Sequence, residues 1–247
     1  MLISVLQWNV WYQEDIRHIA SFLHEVDPDI FCLQELTIDH SVQAVKHTPD
    51  YLTGHLGYYT YYHPIRIDSA DGRHATIANA VFSRFPITRR HYSWINQPQL
   101  AGGFDDEYRA YVEATLDLPG NPPLTVATAH LSYTHRFEPT ERKQAETDAL
   151  VRQLERHHER LIFTGDLNAP PDSPTIKAIS RHLKSAGPDF AANTWTTKPF
   201  EYQGFTESGL NWRLDYVFAT PDLKPVSAEI LPTKYSDHLP ILAKFEV

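Results

Sequence analysis

The stretch Thr164-Gly165-Asp166-Leu167-Asn168 sets an acid and an amide two residues apart at the end of a short apolar run. If the backbone stays extended there, strand alternation puts Asp166 and Asn168 on one side of the strand's C-terminal edge. A carboxylate so placed accepts a proton from water, and an amide NH₂ donates to a phosphoryl oxygen. The plainer alternative is an Asx-type turn, which both residue types form readily. Ser236-Asp237-His238-Leu239-Pro240 places a carboxylate beside an imidazole just before the last apolar run, and histidine changes charge near neutral pH. To donate to a developing oxyanion, His238 needs a carboxylate on its other ring nitrogen. Asp215, in Arg213-Leu214-Asp215-Tyr216-Val217, is the candidate. A turn cap at Asp237 with a half-exposed His238 is the alternative. Asn9 and Glu35 follow the first two apolar runs. Hard cations such as Mg²⁺ take oxygen ligands and keep several waters, so one or two carboxylates suffice. Glu35 fits that task, with Asn9 orienting it or the nucleophile; a helix-terminal glutamate and a turn asparagine are the alternatives.

Such residues need elements to carry them. The runs Leu2 to Trp8 and Ile30 to Gln34 predict strands, separated by a helix over Asp15 to Val26 with Ile16, Ile19, Ala20, Phe22 and Leu23 on one face. Asp27-Pro28-Asp29 stops that helix. A weaker helix with Val42 and Val45 is expected before the aromatic stretch Tyr58 to Tyr62. Extended segments follow over Ala78 to Phe82, Ile87 to Trp94, Tyr108 to Leu118 and Leu124 to His130. Glu138 to His157 reads as a Pro-initiated helix with Ala145, Ala149, Leu150 and Leu154 as its apolar stripe. Strands are expected over Arg160 to Thr164, Arg213 to Ala219, Val226 to Leu231 and Leu239 to Val247, and a short helix from Ser173-Pro174 to Ile179. Gly187 to Trp212 reads as a long irregular loop of the functional kind. Strands without consistently intervening helices predict two packed sheets flanked by helices, in one domain over 1–247.

The chain of 247 residues is 42% hydrophobic with a net charge of -9, enough to bury a large core but without bulk basic charge to grip a phosphate backbone. Because a metal site adds local positive charge, nucleic acid stays possible as a substrate, although the net charge does not favour it. The single cysteine, Cys32, lies in an apolar run and reads as a small buried hydrophobe, which excludes a disulfide scaffold. The first residues read as a strand rather than a leader, and no apolar stretch approaches the length of a membrane span. A soluble, cytoplasmic monomer is expected.

Taken in order, Trp-Asn-Val, Leu-Gln-Glu, Ala-His-Leu, Gly-Asp-Leu-Asn, Arg-Leu-Asp-Tyr-Val and Ser-Asp-His-Leu-Pro resemble the motifs of the endonuclease/exonuclease/phosphatase superfamily across nearly the whole chain. The resemblance implies a DNase I-like four-layer α/β/β/α sandwich, with two mixed, mostly antiparallel sheets. It implies Mg²⁺ or Mn²⁺ on Glu35 with Asn9 in support, Asp166 activating water, and Asn168 and His130 contacting phosphate. Asp215 then pairs with His238, which stabilises phosphoryl charge, and Asp237 positions His238 or reaches a second metal. The implied activity is hydrolysis of a phosphomonoester or phosphodiester by in-line attack, on a phosphate-ester substrate whose identity the residues leave open. Abasic-site endonucleases of the superfamily carry an aspartate two residues after the motif asparagine, where this chain has Trp11. That departure argues against a repair endonuclease. Trp11, Tyr12, Trp195 and Trp212 are candidates for a pocket lining, with core packing the alternative. Arg109, Arg142 and Asn79 are possible neighbours of the pocket, although a surface pairing of Arg109 with Asp106 or Glu107 is the expected state. A true nuclease, and a catalytically silent binding module on the same scaffold, are the rival readings.

Overall fold

The computed structural model describes residues 1–39, 43–68, 74–97 and 107–247. The predicted first strand is β1 (Leu2–Asn9), followed by α1 (Ile16–Val26) and β2 (Ile30–Ile38). Asp15 caps α1 by accepting from the Arg17 N–H, Ile16, Ile19, Ala20 and Leu23 are buried, and Asp27 ends the helix in the left-handed region at φ 52°. Next come α2 (Thr48–Leu56), β3 (Tyr59–Asp68), β4 (His74–Ser83), β5 (Ile87–Asn96), β6 (Arg109–Leu116) and β7 (Leu124–His130). The second helix therefore starts after Val45, with a proline in its first turn; Val42 lies outside the described residues. The chain continues through α3 (Glu141–Leu154), β8 (Leu161–Asp166), α4 (Pro174–Ile179) and β9 (Lys184–Ser185). Thr140 caps α3 by accepting from the Lys143 N–H, so Pro139 stands ahead of the helix instead of opening it. A hairpin, β10 (Phe200–Tyr202) and β11 (Phe205–Glu207), gives structure to the segment expected to be irregular. β12 (Asp215–Ala219), β13 (Lys224–Ile230) and β14 (Ile241–Glu246) close the chain.

The strands form two six-stranded mixed sheets, in the orders β13-β14-β1-β2-β4-β3 and β5-β6-β7-β8-β12-β9. Within them only β1 with β2 and β7 with β8 pair in parallel. Strand alternation sorts each strand's residues between two cores. Val5, Ile30, Cys32 and Val81 of one sheet meet Ala114, Val126, Ile162 and Val217 of the other in a shared inner core. Leu6, Trp8, Phe31 and Leu33 face outward onto α1, and Tyr111, Phe163 and Phe218 face outward onto α3 and α4. This is the expected four-layer sandwich, and each fully buried aliphatic side chain stabilises it by roughly 1.5–3 kcal/mol. Cys32 is buried in the inner core, as predicted. Among the described residues no helix is long and apolar enough to cross a membrane.

Candidate active site

At one end of the sandwich the inner core turns polar. The alternation that points Val5 inward also points Gln7 and Asn9 inward, and the positions continuing Val126 and Ile162 are Thr128, His130, Thr164 and Asp166. Register then assembles them: His130 pairs with Asp166 across β7–β8, and Asp166 pairs with Asp215 across β8–β12. Because β1 and β2 are parallel, Asn9 and the Glu35 region emerge at the same end. The antiparallel run of β14 against β1 brings the preceding loop, with Asp237 and His238, to that end as well. Gly165 is required by this closure, since a Cβ there would sit 2.4 Å from the Ala129 carbonyl oxygen.

Simple alternation would aim Glu35 outward with Phe31 and Leu33. A bulge between Leu33 and Leu36, with Glu35 itself at φ 63°, turns its carboxylate toward the polar end instead. Glu35 is thus inside β2 and not at a helix terminus. The Asp166–Asn168 geometry also departs from the extended expectation. The strand stops at Asp166, Asn168 takes φ 45°, and its N–H donates to Asp166 Oδ1 at 3.0 Å, which is the Asx-turn form. Both side chains nevertheless line one cavity.

Asp166 is the meeting point. Its Oδ2 accepts from Asn9 Nδ2 at 2.9 Å and lies 3.4 Å from His130 Nε2 and 3.6 Å from His238 Nε2. Asn9 Nδ2 also donates to Glu35 Oε1 at 2.9 Å, so one amide holds both carboxylates. Asn168 Nδ2 donates to the Leu131 carbonyl at 3.0 Å and is 3.2 Å from His130 Nε2. His238 Nδ1 sits 2.8 Å from Asp215 Oδ2, the pairing expected of an oriented imidazole, and His238 is only 5% exposed. Trp195 Nε1 donates to Asp237 Oδ2 at 3.1 Å, leaving Asp237 half-buried at the cavity edge. The eight residues singled out in the sequence therefore converge.

The enclosure shifts proton affinities in opposite directions. Burial raises Glu35, and the nearby Asp237 carboxylate raises it further, against hydrogen bonds from Asn9 and the Tyr12 N–H. Burial also raises Asp166, opposed by His238 and reinforced by Asp215. Burial works against a charged His238, yet Asp215, Asp166 and Asp237 together hold its imidazolium well above the usual histidine range. Burial, with the charges of Arg109, His238 and Lys143, keeps His130 well below that range and therefore neutral. Two carboxylates, Glu35 and Asp237, thus border one cavity while repelling one another, a donor set suited to a hard cation. A second cluster, Asp166, Asp215 and His238, has ligand-type atoms within 4.8 Å of one another, already joined internally by the Asp215–His238 hydrogen bond.

Several supporting residues carried no sequence signal strong enough to find them. Gln34 Nε2 donates to Gln7 Oε1 at 3.0 Å and to Thr128 Oγ1 at 2.8 Å, tying the sheets together under the site, and Gln7 reaches Asp215 Oδ1 at 3.4 Å. Position Gln7, two before Asn9 on a strand, is the one hint. Lys143 Nζ donates to the carbonyls of Ser132 and Leu167, and Glu146 accepts from the Ser132 N–H at 3.0 Å, so α3 clamps the loops that follow β7 and β8. On a helix rich in charge, neither residue stands out. Arg109 does pair with Glu107, but both are 5% exposed and line the cavity rather than the surface; Asp106 lies outside the described residues. Arg142 donates to Ser132 Oγ at 2.9 Å and Asn79 to the Ala110 carbonyl at 3.0 Å, and neither lines the cavity.

The cavity has a volume of about 520 Å³. Trp11, Tyr12 and Trp195 line it, as do Phe200 and Tyr202 from the hairpin. Trp212 stands behind this wall, its ring 4.6 Å from that of Phe137.

The family model for the endonuclease/exonuclease/phosphatase family matches residues 6–238. No curated protein matches the chain. Among solved structures, the chain is similar to an endonuclease/exonuclease/phosphatase from Beutenbergia cavernae, with TM-score 0.76, 23% identity, and coverage of 100% of this chain and 72% of that one. It is also similar to the human Nocturnin catalytic domain with bound sulfate anion, with TM-score 0.70, 22% identity, and coverage of 99% and 93%. A mannosyl-6-phosphatase from Bacteroides thetaiotaomicron superposes with TM-score 0.69 at 16% identity, over 99% and 100% of the two chains. At these identities the likeness is one of fold.

Proposed function

The chain belongs to the endonuclease/exonuclease/phosphatase family, and from that premise we propose that it is a Mg²⁺- or Mn²⁺-dependent hydrolase of a phosphate ester, working by in-line attack of an activated water. One observation carries the reading: Asp166, whose proton affinity burial raises, sits in reach of Asn9, His130 and His238 on the edge of the cavity.

Glu35 and Asp237 would hold the cation, with Asn9 fixing Glu35 through its amide. When bound, the ion supplies Lewis-acid polarisation of a phosphoryl oxygen. Asp166 orients the attacking water and takes its proton, a task that a raised carboxylate performs better near neutral pH than an ordinary one. His238, kept protonated by its aspartate neighbours, donates to the phosphoryl oxygens as their charge grows. Asn168 and the neutral His130 complete the phosphate-facing set. These donors are already in place before substrate arrives, so little reorganisation accompanies reaction. In this reading it is the turn at Asn168, and not an extended strand, that brings Asp166 and Asn168 to one cavity.

A panel of phosphomonoesters, phosphodiesters, nucleotides and single- and double-stranded DNA, run with Mg²⁺ or Mn²⁺ and again with EDTA, tests the proposal. Turnover that EDTA abolishes is the expected result. Inactivity across the panel would favour a silent binding module.

A further inference from the structure

We propose that the cavity selects a small, singly phosphorylated ester whose leaving group presents a flat ring, with Trp11 and Tyr12 as specificity-determining residues. The inference rests on the phosphoesterase reading and goes further by naming the substrate class.

The first support is what surrounds the phosphate end. Beyond Asp166 and His238 the same cavity is walled by aromatic rings: Tyr133, Trp195 and Phe200 on the side of the hairpin, Trp11 and Tyr12 on that of β1. Phe200 lies 5.0 Å from Trp195 and 5.9 Å from Tyr133, centroid to centroid, so these rings form a continuous face. Faces of this kind bind flat rings by stacking or edge contact. A volume of about 520 Å³ suits a small ligand.

The second support is charge. Besides the His238 imidazolium at the polar end, two described cations line the cavity, Arg109 and Lys198; Arg109 is paired with Glu107, and Lys198 Nζ lies 5.9 Å from the Trp11 ring centre. Glu201 and Asp237 also line it, so among the described residues the charge needed for a row of phosphates is missing. One phosphate at the polar end is what this lining accommodates.

The third support is backbone geometry. Trp11 occupies the left-handed region at φ 57°, which a bulky residue adopts only when held there. What holds it is the chemistry: its N–H donates to Asn9 Oδ1 at 3.1 Å, and the next N–H, of Tyr12, donates to Glu35 Oε2 at 3.1 Å. The dipeptide that offers rings to the cavity is therefore the one that steadies Asn9 and Glu35.

Isothermal titration calorimetry on Asp166→Asn reads binding without turnover, and steady-state kinetics on the wild type reads hydrolysis. The ligands are 4-nitrophenyl phosphate, adenosine monophosphate, a hexose phosphate, glycerol phosphate and a short DNA duplex. At least one of the two flat-ring esters, 4-nitrophenyl phosphate and adenosine monophosphate, should bind about tenfold tighter than glycerol phosphate, and comparing the two distinguishes an aryl ring from a nucleobase. The hexose phosphate, whose ring is puckered, should bind no better than glycerol phosphate. Placed in the Asp166→Asn background, Trp11→Ala should collapse that preference and Trp11→Phe should largely restore it. Binding of the flat-ring esters no tighter than that of the hexose and glycerol phosphates, tighter binding of the duplex, or a preference untouched by Trp11→Ala would overturn the proposal. A ring preference in calorimetry with no turnover of any ester would support the subsite and overturn the hydrolysis reading instead.

Discussion

The polar end of the inner core and the aromatic wall beside it are held by different forces. At the polar end, Asn9, Glu35, Asp166, Asn168, Asp215 and His238 are joined by hydrogen bonds of 2.8–3.0 Å among side chains and backbone of strand ends and their adjoining loops. In the wall, Trp195 meets Phe137 and Phe200 edge-on, with ring centroids 5.3 and 5.0 Å apart, on rings supplied by loops and a short hairpin. Directional bonds fix atoms to tenths of an ångström, whereas apolar packing fixes shape and tolerates substitution of like volume. A reaction centre needs the first and a leaving-group pocket can be remade through the second, so the two regions should fail differently.

The largest effect is expected at the polar end. Asp166→Asn keeps the shape and the hydrogen bond from the Asn168 N–H but loses the proton acceptor, and kcat should fall by about 10²- to 10⁴-fold with the melting temperature little changed. Steady-state kinetics alongside circular dichroism checks this. A loss shared equally between kcat and fold would mean that Asp166 is structural.

Next in size is the cation. Glu35→Gln should weaken Mn²⁺ binding about 10- to 100-fold by calorimetry or electron paramagnetic resonance, while Asp215→Asn should leave that affinity nearly intact. The reverse pattern would move the ion to the cluster of Asp166, Asp215 and His238 and redraw the polar end around it.

How much of this the sequence disclosed follows the same division. Residues at strand ends were legible because apolar alternation announces a strand and its end, and an acid or amide left there has nowhere to go but the edge. That logic located Asn9, Glu35, His130, Asp166, Asn168, Asp215, Asp237 and His238 beside short apolar runs, and the ordered motifs tied them into one site. It could not foresee that a bulge would re-aim Glu35, and it left open whether Asn168 would stay extended or turn, because both depend on left-handed backbone at residues other than glycine. The wall was legible as a long loop between Gly187 and Trp212 and as the candidate lining residues Trp11, Tyr12, Trp195 and Trp212, of which Trp212 stands behind the cavity. Its hairpin has three-residue strands, too short for a periodicity, and its rings are assembled by contacts distant in the chain. Lys143 and Glu146 were hidden for the opposite reason, since a charged helix gives no sign of which charges turn inward.

Lys143 offers a smaller test of the polar end. Burial lowers its pKa to about 8 from 10.5, so the unfolded chain holds this proton over a range in which the folded chain has released it. Folding is therefore penalised below about pH 8, and the penalty is relieved as pH rises toward 10.5. Measured by urea unfolding, the stability of the wild type relative to Lys143→Met should improve by roughly 1–3 kcal/mol across that window. A flat difference would mean that Lys143 keeps its proton and that the clamp on Ser132 and Leu167 is an ammonium throughout.

The smallest effect belongs to the wall, and there the contrast between bonding and packing is sharpest. Glu207, at the end of β11, accepts from Trp212 Nε1 at 2.9 Å, from Asn211 Nδ2 at 2.7 Å and from the Ser208 N–H at 3.0 Å. These bonds lie near solvent, where water replaces a lost partner, so Glu207→Ala should cost under about 1 kcal/mol of global stability. Its effect should be local. With the acceptor gone, the Trp212 ring keeps only its contacts with Phe137 and Phe205 while its backbone stays bonded to that of Trp195, and the hairpin loses its hydrogen-bonded tie to that ring. Amide exchange over residues 200–209 should accelerate while exchange in β7 and β8 stays slow. If those core strands loosened together with the hairpin, wall and polar end would be one cooperative unit, and the separation between a bonded centre and a packed pocket would not hold.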